Sequence, residues 1–182
     1  MRNLALALSL AILGLAGGFD RPAAAEAQSA GPTLEMDTAK GMIQIRLFPA
    51  DAPRSVEHIL ALVKRNFYRG LRIHRAENSL VQFGDPTSRD VSRRDWWGRT
   101  SSGQPIGVSE INKRPHVRGT VSLAHSGDPR SADSQLFIMK TASPSLDGKH
   151  VVIGQVTSAM NIVDQLRVTD VIKNITIRGG GQ

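Results

Sequence analysis

Five histidines, His58, His74, His116, His125 and His150, are the first residues to question for chemistry, because imidazole serves as metal ligand, general base or triad partner. None stands in an H-E-x-x-H spacing, no G-x-S-x-G frames a serine, and no G-x-x-x-x-G-K-[ST] cradles a phosphate. The absence of cysteine removes thiol catalysis, cysteine-based zinc sites, iron-sulfur clusters and disulfides. No metal and no cofactor is expected. Arg89, Arg93, Arg94 and Arg99 surround Trp96 and Trp97, a pattern that can stack bases beside phosphate-binding charge. The simpler reading is a solvated loop with both tryptophans folded onto the body of the protein, and no nucleic-acid partner is expected. Whatever this protein does uses other chemistry.

The elements that must position these residues follow from periodicity. Residues 33–38 alternate with Leu34 and Met36 on one face, Ala39-Lys40-Gly41 turns the chain, and Ile43, Ile45 and Leu47 alternate in residues 42–48, which together predict a β-hairpin. At Asp51 the period changes. Asp51 can cap, Pro53 suits a first turn, and Val56, Ile59, Leu60 and Val63 mark the buried stripe of a helix. Strands are predicted at 71–75, 80–83, 119–125, 135–139 and 151–156, a second helix at 158–166, and a last strand through Ile172, Ile175 and Ile177. The Asn174-Ile175-Thr176 sequon falls in that strand. Residues 84–118 form a polar loop rich in glycine and arginine, long enough to be functional. Many short strands with two separated helices predict a mostly β architecture, a barrel or sandwich capped by helices.

With 182 residues, 40% of them hydrophobic and 21% charged, the chain supports one compact core, and its net charge of +7 tolerates anionic partners without naming any. Residues 1–27 begin with Arg2, continue through an apolar run over 4–16, and end in small residues around Ala23-Ala24-Ala25 and Ala25-Glu26-Ala27. That is a secretory signal pattern, with an apolar run too short to span a bilayer at the ~20 residues needed. Expected are cleavage after Ala27, a linker over 28–32, one domain over 33–178, and a flexible glycine-rich tail over 179–182. The mature protein is expected to be secreted or periplasmic, monomeric and without a membrane span.

Two blocks are more specific. Phe67-Tyr68-Arg69-Gly70-Leu71-Arg72-Ile73-His74-Arg75 is followed by Gln82-Phe83-Gly84-Asp85-Pro86. Gly119-Thr120-Val121-Ser122-Leu123-Ala124-His125-Ser126-Gly127 is followed by Ser134-Gln135-Leu136-Phe137-Ile138 and by Leu146-Asp147-Gly148-Lys149-His150-Val151-Val152-Ile153-Gly154. In order and spacing these resemble the signature of the cyclophilin-type peptidyl-prolyl cis-trans isomerases, and the resemblance extends over residues 34–177. It implies a closed eight-stranded antiparallel β-barrel capped by two α-helices, with a substrate groove on the outer surface.

The resemblance further implies that Arg75 is the catalytic arginine with Gln82 beside it. It also implies that Ala124 and His125 pair with the bound peptide as an added strand, that Gln135 is a second site glutamine, and that Phe137, Leu146, Leu80 and His150 form a proline pocket. Proline-containing unfolded or extended polypeptides are the implied partners. The chain departs from the family pattern in several places. The stretch from Arg75 to Asp85 is one residue short, and Asn78 and Ser79 replace the usual proline and small residue. Leu80 takes the place of a pocket phenylalanine, Phe83 of a glycine, Leu136 of a phenylalanine, and Ser145 of an aromatic residue. An alternative on the same scaffold is a chaperone-like module that binds proline segments with weak or no isomerase activity.

Overall fold

A computed structural model describes residues 31–178. The expected signal segment, most of the 28–32 linker and the glycine-rich tail lie outside the described residues. Eight strands run β1 (Thr33–Thr38), β2 (Gly41–Leu47), β3 (Arg75–Ala76), β4 (Leu80–Phe83), β5 (Thr120–Leu123), β6 (Leu136–Met139), β7 (Val152–Ser158) and β8 (Ile172–Ile177). Two helices, α1 (Pro53–Lys64) and α2 (Met160–Gln165), complete the fold. All pairings are antiparallel, in the order β3-β4-β6-β5-β7-β2-β1-β8.

That order leaves β3 and β8 as free edges, so the sheet is an open half-barrel and the expectation of a closed barrel is corrected. The reason lies in the stretch predicted as a strand over 71–75. Leu71 and Ile73 are buried as that pattern requires, but Gly70 turns the chain with φ +76° and only Arg72 and Val171 form a bridge. Irregular main-chain bonds, such as Gly70 N–H to the Ile172 carbonyl at 2.8 Å and Ile73 N–H to the Asp170 carbonyl at 2.9 Å, lie across the gap instead of a ladder.

The opening hairpin forms as predicted, with the apolar residues of β1 and β2 buried on one face. Its turn is held by Thr38, whose hydroxyl accepts from Lys40 and Gly41 N–H groups at 3.1 and 3.2 Å. Gly41 has φ +135°, a conformation that side chains rarely adopt, so the turn calls for glycine. Helix α1 buries Val56, Ile59, Leu62 and Val63, while Leu60 of the predicted stripe is only half-buried. Asp51 does not cap it. Ala52 is the N-cap and has no side-chain bond, and Asp51 pairs with Arg114 at 2.7 Å. The first-turn N–H groups of Arg54 and Ser55 instead donate to Glu110 at 3.0 and 2.7 Å, so a carboxylate from the long loop does the work of a cap and also faces the positive end of the helix.

Strands β4, β5 and β6 are buried on both faces. Val81, Phe83, Val121, Leu123, Leu136 and Ile138 point into the main core, whereas Leu80, Phe137 and Met139 form a second cluster on the opposite face with Ala124 and Leu146. Because successive strand residues face opposite sides, the run Leu136-Phe137-Ile138-Met139 feeds both clusters. The long loop covers much of that second face. It is fastened by two buried carboxylates: Asp85 accepts from Thr87 and Thr100, and Asp133 from His58, Ser102 and Gln104. Burial alone would raise both carboxyls, but these hydrogen bonds outweigh it and hold them below the ordinary carboxylate range. Trp97 folds back and donates its indole N–H to the Asp90 carbonyl, but Trp96 is 58% exposed with the Arg99 guanidinium 5.2 Å from its ring centre, so only one of the two tryptophans is folded in as expected.

Candidate functional site

The outer face of β3, β4 and β6 carries a polar row. Arg75 pairs across the sheet with Gln82, and Gln82 with Phe137, which places the arginine and the glutamine side by side by register alone. Arg75 Nη1 donates to Gln82 Oε1 at 3.3 Å, Gln82 Nε2 donates to Gln135 Oε1 at 2.8 Å, and Gln135 Nε2 donates to the carbonyls of Gly98 and Thr100 at 3.0 and 2.7 Å. Every donor in this relay points away from the arginine, so each amide orientation is fixed by the next. Both glutamines are thereby committed to holding Arg75 and the loop.

Arg75 has a second partner that the sequence reading did not single out. Glu77 Oε1 accepts from Arg75 Nε at 2.7 Å, with both side chains about half exposed. That bond holds the Glu77 carboxyl below its ordinary value. The shortened segment explains how Glu77 arrives there: Glu77 N–H donates to the Leu80 carbonyl at 2.8 Å, closing a tight turn over Asn78 and Ser79. The missing residue is absorbed by that turn, and β3 and β4 stay in register.

Next to the polar row lies an apolar pocket. Phe137 and Leu80, 3% and 7% exposed, form its base with Met139, and Ala124 and Leu146 pack against them. His150 meets the Phe137 ring edge-on at 5.2 Å and donates Nδ1–H to the Leu123 carbonyl at 3.1 Å. Burial pushes the His150 imidazole down, opposed by that carbonyl and reinforced by the neighbouring His125, His116 and Lys149, which favours a neutral ring with a fixed tautomer. Ser145, on the exposed rim, contacts only Ser143 among the described hydrogen-bonding groups, at 3.1 Å.

Under this pocket runs a constellation that the sequence reading missed. Asp147 Oδ1 accepts from both the backbone N–H and the Nδ1–H of His116, at 2.7 and 2.9 Å, and His116 Nε2 accepts from the Ser122 hydroxyl at 3.0 Å. The residue types are those of a hydrolase triad, but Ser122 and His116 are 0% and 1% exposed, so no substrate reaches the hydroxyl. The arrangement is structural. His116 lies parallel to Phe137 with ring centres 5.9 Å apart, and Ser122 pairs with Phe137 across β5 and β6, so the buried bonds fix the floor of the pocket. Asp147 and Ser122 lie inside the signature blocks. His116 lies in irregular chain, where periodicity offers no signal.

Ala124 and His125 lie just beyond the end of β5, not within it as predicted. The Ala124 N–H is given to the Gln135 carbonyl at 2.9 Å, which leaves the Ala124 carbonyl and the His125 main chain as the backbone groups that face outward here. The His125 ring is tied down, donating Nε2–H to the Lys149 carbonyl at 2.9 Å and stacking obliquely on His150 at 4.4 Å. Beside these residues a cleft of about 220 Å³ opens between Gln82, Gln135 and the Gly98–Ser101 stretch. His74, next to Arg75, is the exception among the site imidazoles: among the described residues neither ring nitrogen makes a hydrogen bond, and burial pushes its pKa down to about 4, only partly offset by Asp85. Gly98, at φ +84°, is where the loop passes closest, since a β-carbon there would sit 3.3 Å from His74 Cδ2.

Comparison with known proteins identifies the family to which these elements belong. The sequence model of the family described as "Cyclophilin type peptidyl-prolyl cis-trans isomerase/CLD" matches residues 33–180. The "Probable peptidyl-prolyl cis-trans isomerase" of Brucella suis biovar 1 is 36% identical over 141 residues, covering 74% of this chain and 71% of that protein. The peptidyl-prolyl cis-trans isomerase of Helicobacter pylori strain J99 is 34% identical over 144 residues, covering 76% and 82%. In fold, a crystal structure of a cyclophilin-type isomerase from Cryptosporidium parvum superposes with a TM-score of 0.69 at 24% identity, over 82% of this chain and 99% of that one. By sequence over most of its length, this chain belongs to the cyclophilin-type peptidyl-prolyl cis-trans isomerases.

Proposed function

We propose that this protein catalyses rotation about X-Pro bonds by stabilising the twisted amide electrostatically, without a covalent intermediate, on exported polypeptides. The observation that carries the reading is the juxtaposition of the Arg75-Gln82-Gln135 relay with the pocket of Phe137, Leu80, Leu146 and His150. Rotation about a peptide bond meets a barrier of ~18–20 kcal/mol because amide resonance is lost at the half-turned geometry. As resonance fades the prolyl nitrogen becomes pyramidal and regains a lone pair. A donor aimed at that nitrogen binds the twisted state better than either planar one, and only such differential binding accelerates the step.

In this reading Arg75 is the donor, Gln82 and Gln135 aim it, and Phe137, Leu80, Leu146 and His150 hold the pyrrolidine ring and exclude water. Ala124 and His125 present main-chain groups to the peptide. The substrate class is a polypeptide containing proline; a Cryptosporidium parvum relative has been crystallised in the presence of the dipeptide Ala-Pro. The test is NMR exchange or a protease-coupled assay on an X-Pro peptide, with accelerated cis-trans exchange expected. Binding of the peptide without acceleration would leave only a proline-segment binder.

The exported context rests on the signal pattern of residues 1–27, and implies a mature chain beginning near Gln28 with its domain over 33–178, acting as a monomer in the periplasm or outside the cell. Among the described residues no helix is long and apolar enough to cross a membrane. N-terminal sequencing of the exported fraction tests this, and an intact Met1 there would count against it.

A further inference from the structure

A second cleft, of about 390 Å³, opens at the end of the sheet where the β3–β4 turn meets α2. It is lined by Ala76, Glu77, Asn78, Arg118, Lys140, Thr141, Asp164 and Arg167. Its charges do not balance locally. Arg118 is bound at both Nη atoms by Asp164, at 2.9 and 2.6 Å, and Glu77 is taken up by Arg75. Lys140 and Arg167 are left over. Among the described residues neither makes an ion pair.

Lys140 is only 8% exposed, yet the one hydrogen bond of its ammonium among the described residues goes to the Glu77 carbonyl at 3.1 Å. An ammonium has three donors, and burial without a counter-charge is unfavourable. Burial and the nearby Arg167 both push the Lys140 pKa down, with Asp164 opposing. Among the described residues the Arg167 guanidinium donates only through Nη1, to the carbonyls of Asp164 and Leu166 at 2.8 and 3.0 Å, leaving Nε and Nη2 for another acceptor. A carboxylate between the two cations would satisfy both.

We propose that this cleft takes the carboxylate of an acidic side chain on the same polypeptide whose proline occupies the main site. The cleft begins at Ala76, the residue after Arg75. One strand residue advances the chain by only ~3.3 Å, so an acidic residue a few positions from the proline reaches it. The inference rests on the isomerase reading of the Arg75 face and adds a preference to it: proline segments carrying a nearby Asp or Glu.

The experiment compares a series of X-Pro peptides in which a Glu is scanned through the four positions on either side of the proline, each with its Gln counterpart. Both binding and cis-trans exchange are measured on the full mature protein. At one or two positions the Glu peptide is expected to bind roughly tenfold more tightly than its Gln partner, the size of a single charge-assisted contact. Lys140→Met, which keeps the aliphatic stem, and the exposed-site change Arg167→Gln should each erase most of that preference while leaving the Gln peptides unchanged. Equal affinities for Glu and Gln at every position, or a preference that survives both substitutions, overturns the proposal. Inorganic phosphate is titrated in parallel; a phosphate response at Lys140 and Arg167 without any Glu preference makes this a free-oxyanion site and also overturns it. Failure of exchange with every peptide refutes the isomerase reading instead, and the binding arm still decides the acidic preference.

Discussion

The floor of the apolar pocket and the arm that carries Arg75 lie on adjoining strands, yet they are held in opposite ways. The floor rests on buried bonds: Ser122, His116 and Asp147 form a continuous chain beneath Phe137, with His116 satisfied at both ring nitrogens. The arm stands in solvent. Arg75 is about half exposed and is steadied by an exposed ion pair to Glu77 and a long bond to Gln82, contacts of a kind worth only ~0–1 kcal/mol. On its flank His74 is half-buried, and among the described residues neither of its ring nitrogens makes a hydrogen bond. The difference is physical. Packed rings are fixed by burial and by hydrogen bonds shielded from water, whereas an exposed guanidinium keeps its hydration and is positioned only by its neighbours on the surface.

If the division of labour is right, Arg75→Ala gives the largest functional effect, a loss of ~10²–10³ in kcat/KM, with stability changed by no more than ~0.5 kcal/mol. Exchange spectroscopy and denaturation on the same samples check it, and equal activity of the two proteins would break the comparison at its centre.

His74 gives the next effect. His74 has a folded pKa of about 4 against an ordinary 6.5, so the unfolded chain takes up the proton first. Stability is therefore unaffected well above pH 6.5, declines as pH falls through the interval between these values, and the contribution levels off below it. The loss amounts to at most about 3 kcal/mol. Urea midpoints of the wild type and His74→Phe across that range measure it, and parallel curves for the two would refute the assignment.

For the floor, His116→Ala should lower stability by ~1–3 kcal/mol, because the buried Ser122 hydroxyl and the Asp147 carboxylate lose their shared partner. Activity per folded molecule should fall less than in Arg75→Ala. A mutant as stable as wild type would mean that the chain under Phe137 contributes no rigidity.

Ser145→Trp sharpens the same contrast at the rim. An added aromatic wall beside an intact floor should tighten binding of the cyclic peptide cyclosporin by ~10- to 100-fold, while turnover of a short X-Pro peptide changes only modestly. Paired titration and exchange measurements decide it, and tight binding by the wild type would show that another residue already supplies the wall. The smallest effect belongs to Glu77→Gln, which keeps the size and the hydrogen-bonding oxygen but removes the charge. A change of a few-fold in kcat with KM unaltered is expected, and a shift in KM alone would place Glu77 in substrate binding instead.

Much of this molecule is legible in the chain. Alternation in β1 and β2, the signature blocks, and the short hairpin that sets Arg75 opposite Gln82 are local or nearly local facts, and short-range periodicity is what sequence patterns record. Phe137, Leu80 and Leu146 share one apolar cluster, and His150 meets the Phe137 ring edge-on. Only the tertiary structure decided the rest. Glu110 replaced Asp51 at the head of α1 from 55 residues away, Gly70 and the irregular bonds after it left the sheet open, and the Ala124 N–H went to a neighbouring strand. His116 found Asp147 and Ser122, and Lys140 was buried with no ion pair among the described residues. In each case a buried or terminal polar group must be satisfied by whatever the fold brings near, and that partner is chosen by three-dimensional proximity, which leaves no periodic trace along the chain.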